Sequence, residues 1–333
     1  MELGKPLGLP CQANRVRFSA DGKLLAAACI DGVVRRWNVA GQAPTEAEPL
    51  KGHNGWVTEL EFSKNALFTA DSWGKLAAWG ANGKEQWKRD SAHDGWLRMI
   101  AVHHAALATC GKDGFVRIWN AADGKKTAEF ALPDVLAVRF SPNGKTLFTG
   151  DLFGIVREHE LPSGKTLRSF DAKELYKLDR IQDVGGVRCL LFDSAGKTLF
   201  VAGAVPSTGG FVQCTPLIAA IDLASGKRLW QWKGANDAEG YITDLTWHPD
   251  GYLVASASGQ PGQGKVFFLK PGEKAPFFVA AKPNVHSVAI DPAGTKMAAA
   301  LTNANSNGNG RVGGAKYLPN VSPIQLWKVK RGL

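Results

Sequence analysis

Residues 16–37 read VRFSADGKLLAAACIDGVVRRW, and the order of parts in this stretch decides the fold. An apolar run ends in Phe-Ser and is followed by a Gly-Lys turn, an Ala-rich run, a second Gly turn and an apolar run that ends in Trp. The same order returns further along, for example at residues 138–159, VRFSPNGKTLFTGDLFGIVREH. Because a repeated unit sets the architecture of a whole chain, it takes precedence over any single motif.

Each unit has the pattern of antiparallel hairpins. Short apolar runs alternate with Asp-Gly, Asn-Gly and Ser-Gly pairs, which favour tight turns between strands. A further segment that starts near Gly-Lys, such as GKTLRSF at residues 164–170, separates the third run from the next unit, so each unit has four strands. A sheet this small has two apolar faces and is unstable alone, whereas units packed face to face around an axis bury both faces.

We therefore predict an all-β fold, a seven-bladed β-propeller of four-stranded antiparallel blades, in one domain over residues 1–333. Its blades are predicted at residues 10–50, 51–90, 91–131, 132–171, 185–233, 240–280, and 283–333 plus 3–9. Only six residues follow Trp327, too few for another strand. The N-terminal strand is therefore expected to join the last blade and close the ring. An eight-bladed or irregular ring is the alternative.

One segment departs from the strand pattern. Leu175, Leu178 and Ile181 are spaced by three, and Asp171 with Glu174 could form a capping box. A helix of one to three turns is therefore predicted within residues 171–181.

Blade three carries four polar or aromatic positions in a fixed order. His93 precedes the first strand, Thr109 lies in the second strand, Asp113 begins the next turn and Trp119 ends the third strand. On these residues and the repeat, the chain resembles the WD-repeat β-propeller family over essentially its whole length. The resemblance implies that the four side chains form a hydrogen-bonded chain that satisfies the buried indole N–H and fixes the turn.

Other blades keep this pattern in part. Blade two has His53, Thr69 and Trp79 but places Trp73 where the acid is expected, and blade four has His159 in place of the Trp. Blades five to seven match mainly by hairpin spacing. The resemblance implies a structural role for these histidines, and not catalysis or metal binding.

Extra residues are concentrated in the loops of one face. In an up-and-down blade, the loop between strands two and three and the loop between blades emerge on the same side, which we call the top face. Its insertions run over residues 171–186, 204–216, 259–264 and 302–323. Long loops on a rigid scaffold commonly carry function, so the top face is the predicted binding surface.

Aromatic residues and arginines are expected on the same face. The loops leading into blades two and three carry Trp56 and Trp96, and the top turn of blade two carries Trp73. Because Trp, Tyr and Arg are frequent binding hot spots, the predicted partner-binding residues are Trp56, Trp73, Trp96, Arg98, Arg188 and Tyr241. The alternative is that these rings only cover the blade tops and pack on neighbouring loops.

The net charge of +10 comes largely from lysines that follow a turn glycine on the opposite, bottom face. These are Lys23, Lys84, Lys125, Lys145, Lys165, Lys197 and Lys227. Such lysines are usually solvated and protect strands from aggregation. Binding of nucleic acid or of another anionic surface through them is possible but not favoured.

Cysteines and hydropathy limit the class of protein. The five cysteines show no metal-ligand spacing and are expected to be buried free thiols in a reducing cytoplasm. No apolar run has the length of a membrane span, and the N-terminus lacks the pattern of a signal peptide. A GxGxxG match at residues 308–313 lacks the strand and helix that give that motif meaning, so we interpret it as a loop.

The sequence therefore predicts a non-catalytic scaffold that presents its top face to a protein or peptide, without metal or other cofactor. One alternative is an enzyme with a site in the central channel, which would need polar and acidic side chains converging on the axis. Another is an electrostatic binder of an anionic surface through the lysine-rich bottom.

Overall fold

The computed structural model describes residues 2–179, 181–207, 213–302 and 321–330. These residues form seven antiparallel sheets of four strands each, together with one two-stranded hairpin. Strand β1 (Glu2–Leu3) belongs to the last sheet.

The remaining strands follow one another blade by blade. Blade one is β2 (Ala13–Phe18), β3 (Leu24–Cys29), β4 (Val34–Asn38) and β5 (Thr45–Leu50). Blade two is β6 (Val57–Phe62), β7 (Ala66–Asp71), β8 (Leu76–Gly80) and β9 (Glu85–Arg89). Blade three is β10 (Leu97–His103), β11 (Ala106–Gly111), β12 (Phe115–Asn120) and β13 (Lys126–Ala131). Blade four is β14 (Val135–Phe140), β15 (Thr146–Asp151), β16 (Ile155–Glu160) and β17 (Thr166–Asp171).

A hairpin of β18 (Tyr176–Asp179) and β19 (Gln182–Gly185) separates blades four and five. Blade five is β20 (Val187–Phe192), β21 (Thr198–Pro206), β22 (Cys214–Asp222) and β23 (Arg228–Lys233). Blade six is β24 (Tyr241–His248), β25 (Tyr252–Ser258), β26 (Gly264–Leu269) and β27 (Phe278–Lys282). Blade seven is β28 (Val285–Ile290), β29 (Lys296–Leu301), β30 (Ile324–Lys328) and β1.

The blades form a closed ring. The first strand of each blade packs against the first strands of both neighbouring blades, and β28 of blade seven returns to β2 of blade one. The predicted seven-bladed propeller is confirmed, with the first strands lining the central channel.

The Ala-rich runs are the places where blades meet. Ala26, Ala27 and Ala28 of β3 are fully buried. Ala27 packs in the core shared with blade seven, whereas Ala26 and Ala28 pack in the core shared with blade two. Because successive side chains of a strand point to opposite faces, one second strand contributes to two cores, and small side chains let the sheets approach.

The N-terminal segment lies along the edge of blade seven. Leu3 pairs with Trp327, and the Gly4 N–H donates to the Leu326 carbonyl oxygen at 2.9 Å. Leu7 forms an antiparallel bridge with Ile324, and Leu9 is buried in the core between blades seven and one. Residues distant in sequence thus complete one sheet.

Blade three contains the hydrogen-bonded chain that the resemblance implies. The Trp119 indole N–H donates to the Thr109 hydroxyl oxygen at 2.9 Å, which lies 2.7 Å from His93 Nε2. His93 Nδ1 lies 2.9 Å from an Asp113 carboxylate oxygen. Burial lowers the pKa of His93, and a neutral ring fits this order, with Nδ1–H donating to Asp113 and Nε2 accepting from Thr109.

Blade two forms the same chain with its acid in another place. His53 Nε2 lies 2.7 Å from the Thr69 hydroxyl oxygen, which accepts from the Trp79 indole N–H at 2.8 Å. The carboxylate comes from Asp71, whose Oδ2 lies 3.0 Å from His53 Nδ1. The expectation that Trp73 replaces the acid is therefore wrong, since Asp71 at the end of the second strand reaches the same histidine.

Blade four substitutes a histidine for the tryptophan. His159 Nε2 lies 2.9 Å from the Thr149 hydroxyl oxygen, and Nδ1 lies 3.0 Å from the Gly164 carbonyl oxygen. Burial lowers the pKa of His159, so the neutral ring donates to the carbonyl and accepts from the hydroxyl. An imidazole can thus fill the place of an indole.

The helix predicted within residues 171–181 is reduced to a 3-10 turn, Lys173–Leu175. Leu175 is fully buried, but Leu178 and Ile181 are 57% and 91% exposed. Since only one of the three apolar residues reaches the core, there is no apolar stripe for a helix to bury. The predicted capping box does not form on this turn, because its N-cap residue is Ala172 and not Asp171. Asp171 lies one residue earlier, and its Oδ1 accepts from the Lys173 N–H at 2.8 Å.

Two of the predicted top-face insertions are described only at their ends, because residues 208–212 and 303–320 lie outside the described residues, as does the GxGxxG match at 308–313. Among the described residues, no helix has the length and hydropathy that crossing a bilayer requires.

We expect removal of residues 1–9 to lower the melting temperature by roughly 5–10 °C, since backbone pairing with β30 and the buried Leu9 side chain are lost together. Differential scanning calorimetry measures the change. Lys5→Ala is the control, because Lys5 is exposed. An unaltered melting curve after the deletion would contradict a structural role for this segment.

We expect Thr109→Val to lower the free energy of unfolding by about 2 kcal/mol, because the Trp119 N–H and His93 Nε2 stay buried without a partner. Urea denaturation measures the free energy of unfolding. Thr45→Val, on an exposed position of β5, should change stability by less than about 0.5 kcal/mol. Equal effects of the two substitutions would show that the hydroxyl of Thr109 contributes nothing specific.

Candidate functional site

The first strand of every blade has an irregularity at the same place. In all seven first strands the pairing register shifts across one residue near the beginning of the strand, and that residue sits at a β-bulge. It is the second residue in six of the strands and the third residue in β24. These bulge residues are Asn14, Thr58, Arg98, Leu136, Arg188, Thr243 and His286. Bulges commonly redirect a side chain and lie close to functional sites.

All seven bulge residues line one cavity of about 450 Å³ at the top end of the channel, which we call the upper pocket. Each blade thus contributes at least one side chain to its wall. Trp96, Lys112 and Tyr241 lie in the same wall. Four of the predicted partner-binding residues, Trp96, Arg98, Arg188 and Tyr241, are brought together here.

The two predicted arginines are held differently. Arg98 donates from an Nη atom to the Val135 carbonyl oxygen at 3.0 Å, which links blades three and four. The guanidinium carbon of Arg188 lies 4.4 Å from the centre of the Tyr241 ring, a cation–π contact between blades five and six. The Nε of Arg188 is buried, and no residue in the described part of the chain is its hydrogen-bond partner.

The remaining predicted residues form an exposed edge beside the pocket. Trp56, Trp73 and Trp96 are 49%, 66% and 39% exposed, and we call them the tryptophan rim. The rings of Trp56 and Trp96 meet edge to face with centroids 5.7 Å apart. Because Trp96 also lines the upper pocket, the rim and the pocket share a wall.

Gly55 brings Trp73 close to the loop that carries Trp56. A Cβ on Gly55 would lie 2.4 Å from Ser72 Oγ and 2.8 Å from Trp73 Cδ1, so the absence of a side chain permits the close approach. The Trp56 N–H donates to the Ser72 hydroxyl oxygen at 3.0 Å, which ties the two loops of blade two together. The Trp73 ring therefore packs against Gly55, the residue before Trp56 in the loop that leads into blade two.

A buried network of charged side chains lies beneath the upper pocket. Its ion pairs were not predicted from the sequence. Arg15 Nε lies 2.8 Å from a Glu59 carboxylate oxygen, and Arg17 lies 2.6 Å from an Asp244 carboxylate oxygen. The Ser287 hydroxyl donates to the same Asp244 oxygen at 2.6 Å. The pair of Arg15 and Glu59 thus joins blade one to blade two. The pair of Arg17 and Asp244 joins blade one to blade six, which is not its neighbour in the ring.

Burial and neighbouring charge act on these acids in opposite directions. Burial raises the pKa of Glu59 in spite of Arg15 and Arg17, whereas the two arginines outweigh burial at Asp244 and lower its pKa. The sequence signal was the recurrence of charge at alternate positions, Arg15 with Arg17 and Glu59 with Glu61, on strands whose alternate side chains face the channel.

His286 completes the pocket as a neutral group. Burial, together with the nearby Arg15, lowers its pKa to about 4. Its Nε2 is buried and has no hydrogen-bond partner within the residues that the structure describes. At neutral pH the ring offers one donor and one acceptor, but no charge.

A set of donors in blade one has the spacing of a metal site but not its electrostatics. The donor atoms of Cys11, Cys29 and Asp31 lie within 4.8 Å of one another. Arg35 donates to both carboxylate oxygens of Asp31, at 3.0 and 2.7 Å, and lies 3.5 Å from Cys11 Sγ. A fixed guanidinium against two of the three donors disfavours a cation.

Comparison with known proteins gives matches to one repeat family. The family model "WD domain, G-beta repeat" matches residues 10–38, 87–120 and 226–260. A guanine nucleotide-binding protein subunit beta from Saccharomyces cerevisiae is 25% identical over 139 residues, which cover 38% of this chain and 33% of that protein. A periodic tryptophan protein 2 homolog from Caenorhabditis elegans is 25% identical over 213 residues, which cover 59% of this chain and 21% of that protein.

A small ribosomal subunit protein RACK1y from Oryza sativa is 27% identical over 100 residues, covering 28% of this chain and 30% of that protein. The matched part of the chain thus spans a third or less of each of these relatives. With the repeat model matched at three places and seven four-stranded blades in a closed ring, the chain is a β-propeller that contains WD repeats.

Proposed function

We propose that this protein is a non-catalytic scaffold that binds a protein or peptide partner through its top face. The tryptophan rim carries the proposal, because the exposed indoles of Trp56 and Trp96 are in contact, the exposed Trp73 packs against the loop that carries Trp56, and Trp96 also lines the upper pocket. Trp is the residue type most enriched in binding hot spots, and exposed apolar clusters beside a concave site are typical of interaction surfaces.

The scaffold suits rigid presentation of these groups. Trp56 and Trp96 directly precede the first strands of blades two and three, and Trp73 lies in the turn between β7 and β8. Since the anchors of these loops are fixed by the ring, little conformational entropy is lost when a partner is bound. The names of two relatives, a subunit of a guanine nucleotide-binding protein and a protein of the small ribosomal subunit, place those proteins in assemblies.

The channel gives no comparable support to catalysis. Its buried carboxylates, Glu59 and Asp244, are each paired with an arginine, and neither lines the upper pocket. A general acid or base has to be within reach of a substrate, which this arrangement does not provide. No feature of the described bottom face favours the electrostatic alternative over solvated turn lysines.

A reducing compartment, and hence the cytoplasm, is also proposed. The five cysteines are free and buried, including Cys11 and Cys29, whose sulfurs lie within 4.8 Å of each other. Thiols this close tend to oxidise outside a reducing environment.

We expect single substitutions Trp56→Ser, Trp73→Ser and Trp96→Ser to weaken partner binding, with at least one cost of about 2 kcal/mol. Partners are first recovered by quantitative affinity capture from native lysate, comparing wild type with a Trp56→Ser, Trp96→Ser double variant. The recovered partner is then titrated against each purified single variant.

Leu229→Ser is the matched control, because Leu229 is a large apolar side chain that is 62% exposed on the outer strand β23. It should leave affinity unchanged, and all variants should keep the wild-type melting temperature within a few degrees. If all three tryptophan variants bind the partner like wild type, the rim is not its binding surface.

A further inference from the structure

The upper pocket is lined by cations and by no acid. Arg15, Arg98, Lys112 and Arg188 line it, whereas no Asp or Glu of the described residues does. The parts of the chain outside the description contain neither Asp nor Glu; they are residues 1, 180, 208–212, 303–320 and 331–333. No further acidic side chain of this chain is therefore available to neutralise the pocket.

Only one of these cations is compensated. Arg15 is paired with Glu59 at 2.8 Å. Within the described part of the chain, Arg98, Lys112 and Arg188 have no carboxylate at ion-pair distance, although ion pairs are found on many other arginines and lysines. Three positive charges thus converge on a cavity wall without a counter-charge.

Arg188 points most directly to an external ligand. Its Nε–H is buried without an acceptor among the described residues, and its guanidinium is held in place by Tyr241. Leaving a buried donor on a charged group unsatisfied is costly, and such orphaned donors are uncommon in native proteins. His286 Nε2, a second unsatisfied polar atom, belongs to the same wall.

Building on the function proposed above, we propose that the upper pocket binds an oxyanion, the carboxylate or phosphate group of an extended segment of the protein partner. Arg98 and Arg188 are its principal donors. Guanidinium groups bind both kinds of oxyanion through paired, charge-assisted hydrogen bonds, and Lys112 adds positive charge.

The position of Trp96 explains how one ligand reaches both surfaces. Its ring contacts Trp56 in the tryptophan rim and also lines the pocket. A segment that lies across the rim therefore meets the pocket directly. The volume of about 450 Å³ fits one or two side chains, and so the partner inserts a short motif.

The test uses three five-residue peptides, N-acetylated and C-amidated, with Gly and Ala flanking a central phosphoserine, Glu or Ser, and inorganic phosphate as a fourth probe. Binding is measured by isothermal titration calorimetry at constant ionic strength, because surface attraction changes with salt. We expect at least one of the two charged peptides to bind at least tenfold more tightly than the Ser peptide and than free phosphate.

Arg188→Gln and Arg98→Gln should each weaken binding of that peptide at least tenfold, while Arg188→Lys, which keeps the charge but not the fork, should lie between wild type and Arg188→Gln. Lys145→Gln removes the same charge from an exposed bottom turn and should have no effect. Melting temperatures in chloride buffer verify that every variant is folded.

Equal affinity for the three peptides, or unchanged affinity in folded Arg188→Gln, would overturn the inference. Free phosphate binding as tightly as the better charged peptide would also overturn it, since the ligand would then be a small anion and not a partner segment. The two proposals fail separately. If the tryptophan variants lose the recovered partner while Arg188→Gln retains peptide affinity, only the oxyanion site is refuted. If the tryptophan variants keep the recovered partner while Arg188→Gln loses peptide affinity, only the tryptophan rim is refuted.

Discussion

A four-stranded sheet with two apolar faces has to bury both, and this constraint governs the molecule. The fully buried Ala26, Ala27 and Ala28 show how it is met, because one strand gives alternate side chains to two neighbouring cores. Each blade therefore depends on the next, and the dependence ends only when β28 meets β2. Hydrogen-bonded chains such as that of Trp119, Thr109 and His93 then satisfy the polar groups that this burial encloses.

The same ring creates the site. Since the first strands converge on an axis, a bulge repeated near the beginning of each strand brings seven side chains to the wall of one pocket. A bulge in a single strand would only bend an edge. Repeated around a ring, it forms a pocket whose chemistry is set by which residue each blade places there.

How far the sequence predicts this structure depends on whether a feature repeats. The strand order and the blade number follow from a pattern present several times, whereas the hydrogen-bonded chain of blade three was implied by the family resemblance. The helix expected near Leu178 rested on one spacing within one segment, and the exposed side chains of that segment had no core to bury them. Asp71 was overlooked for a related reason, because the acid of blade two lies two residues before the position it has in blade three.

The candidate site was predictable in its residues but not in its connections. Trp56, Trp96, Arg98 and Tyr241 were singled out from residue type and loop position, and their role in binding stays a prediction. The bulges and the pairing of Arg15 with Glu59 depend on the distance between strands far apart in sequence, which residue types do not reveal. The absence of Asp and Glu from the described pocket wall could not be predicted from the sequence, because the wall is assembled from residues of all seven blades.

The contact between Arg17 and Asp244 spans the junction where the two ends of the chain meet. Blades seven and one are held by the N-terminal strand outside, while this ion pair connects blades one and six across the interior. Opening the ring at that junction would break this charge-assisted hydrogen bond together with the hydrogen bond from Ser287 to Asp244. The ring is therefore closed by an interior ion pair as well as by the pairing of its N-terminal strand, and fraying of that strand need not open the ring.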